Sequence, residues 1–202
     1  MENTRQNLIR FSNKDDVFFK HIQDTLLPFF DRTITLNGKA VDIGSGAGFP
    51  GIVLGICFPN LLMTLFESEK KKADFLLSVV QELSLANCRV IADRVESAGR
   101  PESYDYVFAR AVSSLPVLLE YAAPLLRVSG KAYFFKGPKY REDLQKSKNA
   151  QKSFFWGEPS IIPYFFDYGE ETYHHYLLAY EKQKPTPRGF PRKPGMAVKT
   201  PL

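Results

Sequence analysis

Histidine and cysteine are scarce in this sequence: three of the first and two of the second in 202 residues. Cys57 and Cys88 fall in an expected helix and an expected strand, which suits buried thiols in a reducing compartment rather than a disulfide framework. They make no ligand spacing with His21, His174 and His175, so no metal is expected. An apolar leader is missing too: the first dozen residues are polar and mixed, and the expected location is the cytoplasm. No Gly-Lys-Ser/Thr follows a glycine-rich run, which excludes a P-loop. No Ser-His-Asp or paired-carboxylate constellation can be read from the chain, so the catalytic residues stay unknown. Charge is absent between Asp42 and Glu67, a gap that invites a membrane-span reading. Pro50, Pro59, Asn60 and several glycines break it into pieces too short to cross roughly 30 Å of hydrocarbon, and no membrane is expected. Finally, acid is missing from the end. Lys182–Leu202 holds six of the 27 Lys and Arg and none of the 22 Asp and Glu, so the net charge of +5 belongs to the tail. Such an end is either a solvated chain or a surface that attracts nucleic-acid phosphate through counterion release.

What fills the uncharged stretch organises the rest. It reads KAVDIGSGAGFPGIVLGICFPNLLMTLFE from Lys39 to Glu67. An apolar run, Ala40 to Ile43, ends in the turn Gly44-Ser45-Gly46-Ala47-Gly48. A helical segment follows from Pro50, then a second apolar run, Leu62 to Phe66, closed by Glu67. Glycine lets a backbone turn sharply and lie close against a ligand. The turn leads into a helix N-terminus, where free N–H groups meet polar or anionic groups. An acid after the second strand can take the hydroxyls of a ribose. The pattern predicts a nucleoside-type cofactor across the edge of a parallel sheet. Its spacing is G-x-G-x-G with Asp42 just ahead, not the dinucleotide G-x-G-x-x-G. That looks like the S-adenosylmethionine site of class I methyltransferases. A nicotinamide oxidoreductase on a related core, and an RNA-binding module in which the loop is only a turn, remain alternatives.

The remaining elements predict an α/β domain with a mostly parallel sheet. Phe18, Ile22, Leu26 and Phe29 recur at helical spacing over Lys14–Leu27, with Asn13 and Asp16 placed to cap the start and Pro28 clouding the end. Lys70–Leu85 reads as an amphipathic helix opened by three lysines, a solvated first turn or a rim contact to phosphate. Cys88–Ala92, Tyr104–Ala109 and Lys131–Phe135 read as strands, and Leu115–Arg127 as a helix ended by Ser129-Gly130. Tyr140–Lys152 reads as a polar helix. Phe154–Tyr164 and Thr172–Lys182 read as strands joined through Asp167-Tyr168-Gly169. Five prolines keep the tail out of regular structure. In an open parallel sheet ligands sit beyond the carboxyl ends of the strands. Gly44, Glu67, Val95-Glu96, Arg110 and Lys136 all fall at such ends. The expected organisation is an N-terminal helical segment over 1–30, a core over 31–182 and a basic Pro-rich tail over 183–202.

The segments VDIGSGAGFPGIVLGICFP, FESEKKKADFL, DRVES, FARAVSSL and FFKG together resemble the bacterial 16S rRNA guanine-N7 methyltransferases, also called glucose-inhibited division protein B. KHIQDTL is similar to that family's H-x-x-D-S-L segment, with Thr25 in place of Ser, and PRGFPRKPGMAVKTPL to its basic ending. The resemblance runs from about Asn7 onward. Family members usually carry more chain ahead of that point, so an N-terminal element is expected to be short here. The resemblance implies a class I, Rossmann-like fold: a mostly parallel seven-stranded sheet with helices on both faces. It implies S-adenosylmethionine as cofactor and 16S rRNA, or the small ribosomal subunit or its precursor, as partner of a monomer. Gly44 and Phe49 would contact the cofactor, Glu67 its ribose, Val95 and Glu96 its adenine, and Arg110 would line the site near the reactive end. Lys136 and, in the tail, Arg188, Arg192, Lys193 and Lys199 would be RNA contacts. Guanine N7 carries a lone pair and no proton, so no general base is required, and alignment would carry the rate. The target base would lie in a loop or be turned out of the stack. Phe49 and the Tyr104–Tyr106 segment could stack on it, although packing in the core suits each better.

Overall fold

A computed structural model describes residues 13–30, 34–98 and 101–202. The expectation for residues 1–12 lies outside the described residues. Seven strands form one sheet: β1 (Gly38–Ile43), β2 (Leu61–Phe66), β3 (Cys88–Ile91), β4 (Tyr104–Arg110), β5 (Leu126–Lys136), β6 (Ser160–Tyr168) and β7 (Glu171–Glu181). Their order is β3-β2-β1-β4-β5-β7-β6. The first five pair in parallel, and β7 runs antiparallel between β5 and β6. The strands at the centre are apolar on both faces, as a sheet covered on both sides requires. Successive residues alternate between two cores. Val41, Ile43, Val107, Ala109, Ala132 and Phe134 face one. Ala40, Met63, Leu65, Phe108, Tyr133 and Phe135 face the other.

The helices that cover these faces differ from the sequence expectation mainly at their ends. The first starts where Asn13 accepts the Asp16 N–H at 2.9 Å. It runs as α1 (Lys14–Val17), a π-helical stretch (Phe18–Gln23) and α2 (Asp24–Phe30), passing through Pro28. Phe29, 1% exposed, drives it onto the sheet among the rings of Phe58, Phe108, Tyr133 and Phe135. That insertion holds Asp24 over the carboxyl ends of the central strands. α3 (Gly51–Cys57) follows the glycine turn, and α4 (Lys70–Glu82) follows β2. α4 ends before Leu85, and Asn87 beyond it ties α3 to the start of β2, donating from Nδ2 to the carbonyls of Gly55 and Leu61.

Three readings need correction. The helix expected over Leu115–Arg127 is only α5 (Leu115–Ala122). Pro124 cannot continue it, and Leu126 already belongs to β5, paired with Tyr104. Ser129-Gly130 is a register irregularity inside that strand, with Ser129 at φ 64°. The polar helix is two, α6 (Tyr140–Lys146) and α7 (Lys148–Ser153), separated at Ser147. Phe154 and Trp156 do not open β6. Both are buried at the end of α7, where the Trp156 indole donates to the Leu119 carbonyl.

The tail is packed against the core rather than free of structure. Lys182 is fully buried, and its ammonium donates to Glu102, Thr186 and the carbonyls of Ala123 and Leu126 at 2.6–2.9 Å. Further on, the Arg192 guanidinium grips both oxygens of buried Glu120. Gly195 then donates its N–H to Glu96 at 3.0 Å, and a short helix, α8 (Met196–Lys199), buries Ala197.

Candidate cofactor site

The turn after β1 is built from three glycines in the left-handed region: Gly44, Gly46 and Gly48, at φ 67°, 55° and 95°. A Cβ added at Gly44 would lie 2.9 Å from both γ-methyls of Val112, whereas one at Gly46 would meet only a carbonyl at 3.9 Å. The loop is fastened by Ser45, whose N–H reaches the Phe66 carbonyl at 2.9 Å, and by two acids. Glu67 accepts the Gly46 N–H at 2.9 Å on one oxygen and the Glu69 N–H at 2.8 Å on the other. A carboxylate has about four lone-pair positions, so these two bonds leave acceptor capacity toward the cavity. Asp42, fully buried beneath the loop, accepts the Gly51 N–H at 3.1 Å. Gly51 sits so close to β1 that a Cβ there would lie 2.7 Å from the Asp42 carboxylate. The sequence reading gave this glycine no role.

Two adjoining hollows open above the loop. One, of about 410 Å³, is lined by His21, Gly44, Phe49, Glu67, Lys72 and Arg110. The other, of about 170 Å³, is lined by Ile43, Phe66, Val95, Glu96, Tyr121 and Val198. Gly44, Ser68 and Val112 belong to both. The fold thus brings together all six residues expected at the cofactor: Gly44, Phe49, Glu67 and Arg110 in the larger hollow, Val95 and Glu96 in the smaller. Glu96 is held by the Tyr121 hydroxyl and the Gly195 N–H, each at 3.0 Å. Sequence reasoning missed His21, whose ring lies 5.1 Å from that of Phe49, and Val198, which arrives from the tail. It weighed Lys72 as a rim residue. That lysine lines the hollow and pairs with Glu69 at 2.8 Å.

The other expected residues spread out. Lys136 lies in a neighbouring cavity and pairs with Asp143 at 3.0 Å. Arg188, Lys193 and Lys199 are exposed, whereas Arg192 is turned inward onto Glu120. Tyr104 sits at the start of β4, at the far edge of the sheet, with its hydroxyl against Arg89 and Thr64. Tyr106 packs near Phe108 and Tyr133. A hollow of about 300 Å³ beside Tyr104 also opens at the amino ends of the strands, the wrong edge for a ligand in a parallel sheet.

Asp42 makes the loop sensitive to pH. Burial pushes its carboxyl up to about 7, from an ordinary 3.8. A carboxyl raised in the folded state contributes stability that is complete below 3.8 and is lost as pH rises toward 7; the full difference corresponds to about 4 kcal/mol. Glu102 works in the opposite sense. Against the effect of its partial burial, hydrogen bonds from Lys182 and Thr186 hold it down at about 2, so its contribution is lost as pH falls from 4.5 toward 2. Melting temperature should therefore fall between pH 5 and pH 8 in the native chain. Asp42→Asn should flatten that decline, and calorimetry giving parallel curves for the two proteins would contradict this assignment.

A parallel sheet in this order, with one antiparallel strand inserted near its edge, a glycine turn after β1 and an acid after β2, defines a class I methyltransferase domain. Solved structures show the same fold. The M. jannaschii TYW2 structure in complex with AdoMet has a TM-score of 0.62 at 16% identity, over 86% of this chain and 78% of that one. The precorrin-6y C5,15-methyltransferase of Geobacter metallireducens has a TM-score of 0.59 at 14% identity, over 88% and 96%. The chain belongs to the GidB family, rRNA small subunit methyltransferase G, whose model matches residues 1–162. It is 42% identical over 207 residues to the Ribosomal RNA small subunit methyltransferase G of Carboxydothermus hydrogenoformans, covering all of this chain and 86% of that one. It is 37% identical to the Syntrophomonas wolfei protein of the same name, covering all of this chain and 94% of that one.

Proposed function

We propose that this chain methylates N7 of a guanine in 16S ribosomal RNA, using S-adenosylmethionine as donor. The observation that carries this is the continuous cleft in which the glycine turn, Glu67, Val95, Glu96 and Arg110 meet, in a chain of this family. The donor fits what is there. Gly44 lets the turn line the cleft where a side chain would collide with Val112, and Glu67 has lone pairs to spare beside it. Ile43, Phe66 and Val95 offer an apolar slot for an adenine ring. When bound, the donor supplies a sulfonium-activated methyl group: the N7 lone pair takes it, the S–CH₃ bonding pair stays on sulfur, and the positive charge passes to the ring. No proton moves, so the chain's task is alignment and accommodation of that charge.

RNA contact is assigned to Arg188, Lys193 and Lys199, which face outward, and not to Arg192, which Glu120 engages. No helix among the described residues is long and apolar enough to cross a membrane. A monomer acting in the cytoplasm suits this reading. Transfer of a labelled methyl group to small-subunit RNA, mapped to the nucleotide, tests it; label on no guanine N7 overturns it. Deleting the tail would also remove the Thr186 and Arg192 anchors, so the RNA contacts are better tested by changing Arg188, Lys193 and Lys199 together to Ala. The slope of log affinity against log salt should become shallower by about two. An unchanged slope would remove these residues from the interface.

A further inference from the structure

A third hollow, of about 320 Å³, opens beside the cofactor cleft, and Arg110 and Ala111 line both. Its volume is that of a small-ligand pocket. Its other walls come from Asp24, Phe135, Lys136, Tyr164 and His175. The wall between the two cavities is unusual backbone: Ala111 holds φ 56°, a left-handed conformation that costs an alanine energy and concentrates at functional sites.

The chemistry of the walls is lopsided. Arg110, Lys136 and Tyr164 are hydrogen-bond donors. The one carboxylate, Asp24, is 1% exposed and already engaged on both oxygens, by Arg110 Nη2 at 2.8 Å and by His175 Nδ1. Arg110 Nη2 also donates to the Lys20 carbonyl at 2.7 Å, which fixes the plane of the guanidinium. Among the described residues, Arg110 Nη1 and the Tyr164 hydroxyl are buried without a hydrogen-bond partner. Burial, and after it the neighbouring Asp24 carboxylate, raises the Tyr164 hydroxyl far above its ordinary range, so it stays a donor. A hollow with donors to offer suits guanine O6, an acceptor beside the reacting N7 whose own lone pair must stay free, and disfavours adenine, which presents an amino group in place of O6. Arg110 also stands beside a cleft proposed to hold a cationic donor. An uncompensated guanidinium would repel that cation, and the Asp24 carboxylate cancels its charge.

We propose that this hollow receives the acceptor base, a guanine entering by its O6/N7 edge, and that Asp24 is the positioning residue that aims Arg110 at O6 and neutralises it. This rests on the reading that methyl goes to guanine N7.

Asp24→Asn keeps the shape and removes the charge. Calorimetry with the full chain should show affinity for S-adenosylmethionine falling about fivefold or more relative to affinity for the neutral S-adenosylhomocysteine. A purely structural role would weaken both equally, and equal loss overturns the charge-compensating role. Tyr164→Phe removes one hydroxyl and no charge, so it keeps the proposal testable should the Asp24 variant not fold. With cofactor saturating, it should lower single-turnover transfer to small-subunit RNA about tenfold, leaving S-adenosylhomocysteine affinity and RNA affinity within twofold. A native rate overturns the placement of the base. If the native chain labels no RNA, the reading of function fails, whereas the two cofactor affinities still report on Asp24.

Discussion

Gly44→Val is expected to weaken S-adenosylmethionine binding severely while leaving a folded protein. Gly44 is at φ 67°, where a β-branched residue is a conformational outlier, and an added Cβ would lie 2.9 Å from both γ-methyls of Val112. Val112 itself lines both halves of the cofactor cleft. Room for the new side chain can come only from shifting Val112 or the turn, and either shift changes the walls against which the donor is seated. The cost to the fold is expected to be a few kcal/mol of local strain. The cost to binding is expected to be about 100-fold or more, because the turn brings its own backbone against the ligand. Calorimetry on a sample whose melting curve remains cooperative decides the matter. An affinity within threefold of native would mean the donor is seated elsewhere.

The second large effect is on stability. Arg192→Ala should cost about 3 kcal/mol, the low end for breaking a buried ion pair because the arginine is 22% exposed. Glu120 is 2% exposed, and both its oxygens are taken by Arg192 Nε and Nη2. Alanine would strand that carboxylate in apolar surroundings. It would also release the end of the chain, because Arg192 donates to the hydroxyl and carbonyl of Thr200. Adding Glu120→Gln removes the stranded charge and should restore part of the loss. Urea unfolding of the two single variants and the double variant measures both terms. A loss under about 1 kcal/mol for Arg192→Ala would show that solvent reaches the pair.

The residues that line the cleft around the glycine turn were legible in the sequence because they are mostly local. The turn, the helix start and Glu67 lie within one strand–loop–helix–strand unit, and glycine at fixed positions there has few other uses. The neighbouring hollow proposed for the acceptor base was not. Asp24 and His175 are 151 positions apart, and they meet only because Phe29 pins the first helix to the sheet and β7 runs back beside β5. Arg192 shows the same limit in another form. Counting charge in the tail placed it with Arg188 and Lys193, because composition does not register Glu120, 72 positions earlier. Ser129-Gly130 reads locally as a helix stop, but pairing with β4 and β7 on either side draws the segment into β5. Tertiary pairing overrode local preference there.

The inward turn of the C-terminal segment has a kinetic consequence. Val198 lines one side of the hollow that holds Val95 and Glu96, and the Gly195 N–H donates to Glu96. A nucleoside passing through that side has to displace residues 195–198 first. On the proposed reading, exchange of spent for fresh donor by that route waits on release of the chain's last turn, which the Arg192–Glu120 pair anchors.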